Sequence, residues 1–147
     1  MVTRCYLEIT NRCNLNCVFC PKTTRKAHQL TLEEFHALTD KLKGEIKFLY
    51  FHLMGEPLLR RNLERFLELA GNAGFKVILT TNGTLLPTRQ DQLLAAGVHK
   101  VNISMHSFED GTDEDHARYI RSLADFAKFA DDESVLARLA EIKRNNK

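Results

Sequence analysis

No stretch of the chain approaches the ~20 consecutive apolar residues that a bilayer-spanning helix needs. Residues 1–6 hold no apolar run of the kind a secretion signal carries. The formal net charge is only +2, too small an excess to argue for a nucleic acid or a membrane surface as partner. Internal repeats and low-complexity tracts are missing. A cytoplasmic protein is therefore expected. Cysteine is scarce, with four in 147 residues. In a reducing compartment these should stay as thiols, and clustered ones read as metal ligands before they read as disulfides.

The length suits one domain with a real core, able to bury roughly 70% of its unfolded surface. Charge is unevenly placed. Residues 1–30 carry Arg4, Arg12, Lys22, Arg25 and Lys26 against Glu8. Residues 109–133 carry Glu109, Asp110, Asp113, Glu114, Asp115, Asp125, Asp131, Asp132 and Glu133 against Arg118, Arg121 and Lys128. Either these are two solvated faces, or the basic one receives an acidic electron donor.

Along the chain, strand and helix alternate. Residues 4–10 predict a strand with Cys5, Leu7 and Ile9 on one face and Glu8 and Thr10 on the other. Thr31 and Glu34 form a capping-box pair before the apolar stripe Leu32, Phe35, Leu38 and Leu42, and Gly44 ends that helix. Residues 46–53 are almost continuously apolar, as in a parallel strand covered on both faces. Asn62 is placed to cap a helix bearing Leu63, Phe66, Leu67 and Ala70. A third strand covers 75–81 and stops at Asn82-Gly83, and a short helix covers 88–96. A fourth strand covers 98–105, and helices over 113–130 and 134–143 follow. Such βα alternation builds a parallel sheet whose binding site lies beyond the carboxyl ends of the strands.

The unusual polar residues fall at that end. The cysteine loop follows strand one, and Gly55-Glu56-Pro57 follows strand two. Thr81-Asn82-Gly83 ends strand three, and Ser104 to His106 end strand four. On strand four Val101, Ile103 and Met105 should meet the helices. Asn102, Ser104 and His106 should face the cavity, together with Glu8, Thr10 and His52. His52 and His106 are candidates to touch substrate or pass a proton, with a structural role as the alternative. Cys5 reads as a small buried hydrophobe.

Cys13, Cys17 and Cys20 are the strongest signal: three thiols within eight residues of one loop, able to wrap a compact inorganic centre. Structural zinc would need a fourth ligand, from Cys5 or His28. Three sulfurs on a four-iron cubane leave one iron open to bind a small molecule.

The spacing Cys13-x3-Cys17-x2-Cys20, with Phe19 before the last cysteine and the lead-in Leu7-Glu8-Ile9-Thr10-Asn11-Arg12, resembles the signature of the radical S-adenosylmethionine superfamily. It is most similar to the branch with SPASM-type C-terminal cluster domains. The resemblance spans about Tyr6 to Ser107. It implies a [4Fe-4S] cluster on Cys13, Cys17 and Cys20, with S-adenosylmethionine chelating the fourth iron. It places Phe19 near the adenine, and it likens Gly55-Glu56-Pro57 to a "GGEP" motif that holds the methionyl amine, with Met54 in place of the first glycine. Thr81, Asn82 and Ser104 become ribose-side or carboxylate contacts. The implied reaction is reductive cleavage to a 5′-deoxyadenosyl radical that abstracts hydrogen from a substrate, by analogy a peptide. A flavodoxin- or ferredoxin-type protein would donate the electron.

The implied fold is α/β, with parallel (β/α) repeats forming a partial TIM barrel. That family's core has six units, whereas four are found here, so residues 1–130 read as a partial core and 131–147 as a helical extension. Three explanations are weighed: a truncated product, a half-barrel completed by a partner, and a remnant that binds a cluster for electron transfer without catalysis. Truncation is favoured.

Overall fold

The computed structural model describes residues 2–105 and 111–131. Strand β1 is Arg4–Tyr6, helix α1 is Leu32–Leu42 and strand β2 is Phe48–Phe51. A single 3-10 turn, Pro57–Leu59, precedes α2 (Leu63–Asn72). Then come β3 (Lys76–Thr81), α3 (Leu86–Ala95), β4 (Lys100–Ile103) and α4 (Asp113–Asp131). The four strands pair in parallel in the order β1-β2-β3-β4. This is the expected α/β arrangement of successive βα units. The expected helix over 134–143 and His106 lie outside the described residues. So does the 131–147 extension, apart from Asp131, which ends α4.

Register decides which side chains reach the core. Cys5, Leu49 and Val77 lie in one row across the sheet, and Phe51, Leu79 and Val101 in the next. These rows face the helices. Phe51 meets Phe35 of α1 edge-on at 5.8 Å, and Phe35 meets Phe66 of α2 at 5.0 Å. Phe35, Phe51 and Phe66 are each fully buried. Truncating any one of them to alanine costs about 3–5 kcal/mol in such a setting. The alternate row, Tyr6, Tyr50 and Ile78, looks the other way; Tyr6 and Tyr50 stack at 4.9 Å with Tyr6 47% exposed.

Several local expectations are corrected. Leu38 is exposed, and Thr39 is the buried residue of α1 in its place, its hydroxyl satisfied by the Phe35 and His36 carbonyls. The Thr31–Glu34 capping box is present in both directions, and its backbone hydrogen bond draws the Glu34 carboxyl below the usual range. Asn62 precedes α2 but makes no side-chain cap. Helix α3 starts at Leu86, before the expected 88, because Pro87 fits a first turn where no N–H partner is needed. Strands two and four are shorter than the apolar runs suggest. Beyond β4, Met105 is 52% exposed and does not face the helices.

Strand one departs most. Its ladder ends near Leu7, whose N–H donates to the Tyr50 carbonyl. The chain then pairs antiparallel with the returning limb of the cysteine loop, Thr10 opposite Gln29. Thr10 is consequently buried, with its hydroxyl accepting from the Arg12 N–H, and it does not face the cavity.

Candidate functional site

The cysteine loop leaves and re-enters the fold through a narrow neck. Leu30 donates to the Ile9 carbonyl and Asn11 to the His28 carbonyl. The Asn11 side chain closes the neck further, accepting from His28 N–H at 2.7 Å and donating to the Lys26 carbonyl at 2.9 Å. From the sheet side, Glu56 N–H donates to the Arg12 carbonyl at 2.7 Å. Gly55 sits at φ +84°, and a Cβ there would stand 2.4 Å from the Thr10 carbonyl oxygen and 2.8 Å from that of Arg12. Its glycine character therefore serves backbone-to-backbone contact at the root of the loop.

Beyond the neck, Cys13, Cys17 and Cys20 line one cleft of about 300 Å³. Phe19, Lys22 and His52 line it too, as do the ends of β2 and β3 and Ser104. Leu53, at the lip, holds φ +146°, a backbone conformation that side-chain-bearing residues rarely adopt. Lys22 donates to the Cys17 carbonyl at 2.7 Å, which ties its ammonium to the wall of the cleft. Glu8, expected in the cavity, is instead taken up by Arg25 at 2.9 Å and Met54 N–H at 3.1 Å.

Glu56 is the hub of the rim. It is 1% exposed, and its carboxylate accepts from Thr81 hydroxyl (2.7 Å), Asn82 N–H (2.7 Å) and Leu58 N–H (3.0 Å). It is thus no solvated turn carboxylate; three of its roughly four acceptor sites serve the fold. Burial raises its pKa, outweighing the hydrogen bonds that lower it. From Asn82 the network runs outward. Its side-chain amide donates to Asn14 in the cysteine loop at 2.9 Å, and Asn14 donates to Thr84 at 2.9 Å. Tyr119 of α4 donates its hydroxyl to the Asn82 carbonyl. One carboxylate, one turn and one loop asparagine therefore fix the cysteine loop against the strand ends.

The structure brings Cys13, Cys17, Cys20, Phe19, Gly55, Glu56, Thr81, Asn82, Ser104 and His52 to this cleft. It does not bring Pro57, which is buried at the start of the 3-10 turn. Thr84 and Tyr119 were not singled out from the sequence, and Asn11 and Asn14 entered only as part of the motif around Cys13, with no role of their own. Asn11 and Asn14 flank Cys13, a position that could have marked them as loop-shaping. Tyr119 had no local signal, since its partner is distant in the chain.

The donor set fits a polynuclear iron–sulfur centre in the kind of ligand and in lying on one loop. Three cysteines from one loop, none of them in a disulfide, share one cleft, and Cys13 Sγ accepts the Leu15 N–H at 3.5 Å, a contact of the type that tunes cluster potentials. A single ion fits less well. No group of three His, Cys, Asp or Glu side chains among the described residues converges closely enough to hold one. Of the two further zinc ligands weighed, Cys5 packs against the core and His28 lies exposed near Glu34.

The chain is similar to several known proteins. The chain is 35% identical over 120 residues to a GTP 3′,8-cyclase of Desulforamulus reducens, covering 76% of this chain and 37% of the relative. It is 36% identical over 102 residues to an AdoMet-dependent heme synthase of Methanosarcina barkeri, covering 67% of this chain and 29% of the relative. The chain thus spans about a third of the length of these curated relatives. The fold matches a crystal structure of BtrN in complex with AdoMet and 2-DOIA at a TM-score of 0.66 and 22% identity, over 80% of this chain and 51% of that one. No described helix is long and apolar enough to cross a membrane. Residues 7–143 match the model of the radical SAM superfamily, whose members use a [4Fe-4S] cluster and S-adenosylmethionine, and the chain belongs to that superfamily.

Proposed function

We propose that this chain is the radical-generating portion of a radical SAM enzyme. Cys13, Cys17 and Cys20 would hold three irons of a [4Fe-4S] cluster, and the cleft would receive S-adenosylmethionine. The observation that carries the reading is the meeting, in one cleft, of the three thiols with the ends of β2, β3 and β4. Held there, such a cluster would supply the one-electron reduction by which members of this superfamily cleave S-adenosylmethionine to methionine and a 5′-deoxyadenosyl radical for hydrogen abstraction.

The protein's own part is holding and drying. Phe19 offers an apolar face to the adenine, and Thr80, Thr81, Asn82 and Ser104 offer polar groups on the ribose side. The backbone at Met54 and Gly55, with the remaining acceptor capacity of Glu56, faces the methionyl amine. Two relatives with unlike names, a GTP cyclase and a heme synthase, each match two thirds or more of this chain over about a third of their own length. Their shared part is best read as the portion that makes the radical, which is the role assigned here. The cover that keeps the radical from water is assigned to polypeptide outside these four units. The electron comes from an external one-electron donor.

Anaerobic reconstitution with iron and sulfide tests this. The expected result is a brown protein whose electron paramagnetic resonance spectrum changes on adding S-adenosylmethionine, with 5′-deoxyadenosine formed after strong reduction. A cluster indifferent to S-adenosylmethionine would instead favour an electron-transfer module, and protein free of iron and sulfide would end the proposal.

A further inference from the structure

A second cavity, of about 650 Å³, adjoins the cysteine loop. Arg12, Arg60 and Arg61 line it together with Asn14 and Asn62, and no acidic side chain among the described residues does. Cys13 is the one described residue that lines both this cavity and the cleft. The loop thus presents the same cysteine to two spaces, one lined by the strand ends and the other by guanidinium groups.

The positive charge here is held in place. Arg60 is 8% exposed, donates to Gln29 Oε1 at 2.7 Å and to the Leu30 carbonyl at 2.9 Å, and lies 4.8 Å over the Phe66 ring. Its Nε is buried without a partner. Arg12 and Arg61 are exposed, and neither forms an ion pair among the described residues. Arg25, the other arginine near the loop, is already neutralised by Glu8. Like charges gathered around a cavity with no internal counter-charge repel one another, and an acidic surface from outside relieves that.

Building on the function proposed above, we infer that this arginine-lined cavity is the docking site of the electron donor, an acidic protein carrying a reduced flavin or iron–sulfur group, and that the electron enters by way of Cys13. The donor's group loses one electron and the centre held by Cys13, Cys17 and Cys20 gains it; no bond forms or breaks. Placing electron entry on this side leaves the cleft free to hold cosubstrate and exclude water.

The test uses the reconstituted full chain, a reduced acidic flavodoxin as donor, and photoreduced deazaflavin as a small-molecule reductant. Arg61→Glu is expected to slow cluster reduction by flavodoxin about tenfold or more at low ionic strength, with the gap closing as salt is raised. Cluster content and deazaflavin-driven reduction should match the parent. Arg12→Glu should act the same way. On the unaltered protein, flavodoxin should protect residues 12–14 and 59–62 from hydrogen exchange. A rate insensitive to Arg61→Glu and Arg12→Glu, or a footprint on residues 18–26 instead, overturns the inference. So does tight binding of inorganic phosphate in the cavity that leaves flavodoxin binding untouched, which would mark a small-anion site. In each of those outcomes deazaflavin-driven formation of 5′-deoxyadenosine leaves the proposed function standing. A chain that takes up no cluster removes both.

Discussion

Replacing Glu56 by alanine removes the acceptor that Thr81, Asn82 and Leu58 share. Two of those donors are backbone N–H groups that cannot turn elsewhere. A buried donor left unsatisfied costs about 1–3 kcal/mol, so the pair costs roughly 2–6 kcal/mol. The Thr81 hydroxyl can rotate and adds less. Relief from burying a carboxylate offsets part of this, leaving a net loss of about 2–5 kcal/mol. Against a total stability of roughly 5–15 kcal/mol this is a large fraction. It should lower the melting temperature by about 5–20 °C. Urea unfolding of metal-free protein measures it directly, with the midpoint moving and the slope constant. The sign with pH follows from the raised pKa. The folded state binds the Glu56 proton more tightly than the unfolded chain does. Stability therefore falls as pH rises from the ordinary glutamate value through the higher folded one. Glu56→Gln should flatten that slope while still losing a hydrogen bond, because its amide brings a donor where donors already point. A change below about 0.5 kcal/mol for Glu56→Ala, or the same pH slope in Glu56→Gln, would refute the reasoning.

Three further outcomes are expected. Gly55→Ala must place a side chain at φ +84° against the Thr10 and Arg12 carbonyls, a cost of about 1–2 kcal/mol for the backbone alone. Lower stability in urea and a reduced iron-to-protein ratio after reconstitution should accompany it, and an unchanged ratio would argue against the contact. Tyr119→Phe leaves the Asn82 carbonyl without its α4 donor and should cost roughly 1 kcal/mol by urea titration; equal stability would mean that water replaces the hydroxyl. Asn14→Ala should change global stability little, since Asn14 is exposed, yet speed amide exchange over residues 12–16. Exchange at the parent rate there would show that Asn82 and Thr84 do not anchor the loop.

Much of this architecture was readable from local pattern. The capping box at Thr31, the apolar spacing of Leu63, Phe66, Leu67 and Ala70, and the runs that became β2, β3 and β4 each reflect forces acting within one element. The gathering of the cysteine loop, Gly55-Glu56, Thr81-Asn82 and Ser104 at one end also followed, because parallel βα units send every strand's carboxyl end to the same rim. Contacts between elements were not readable. Leu38 and Thr39 are adjacent, and which one is buried depends on how α1 rotates against the sheet. Thr10 turned inward because its chain neighbour became Gln29, nineteen positions along, in place of another strand. The role of Glu56 could not be seen as structural until Thr81, Asn82 and Leu58 were known to converge on it. The basic cavity joins Arg12 to Arg60 and Arg61, which no window of sequence spans.

The neck of the cysteine loop has a consequence for assembly. Ile9, Thr10 and Asn11 are tied to residues 28–30 by main-chain and amide bonds, so the neck closes with no contribution from the three cysteines. Binding of the proposed cluster would then have only the tip of the excursion left to arrange, a far smaller entropic demand than in small zinc domains that stay unfolded until their ion binds. Losing the cluster to oxygen should accordingly leave behind an intact, refillable apoprotein.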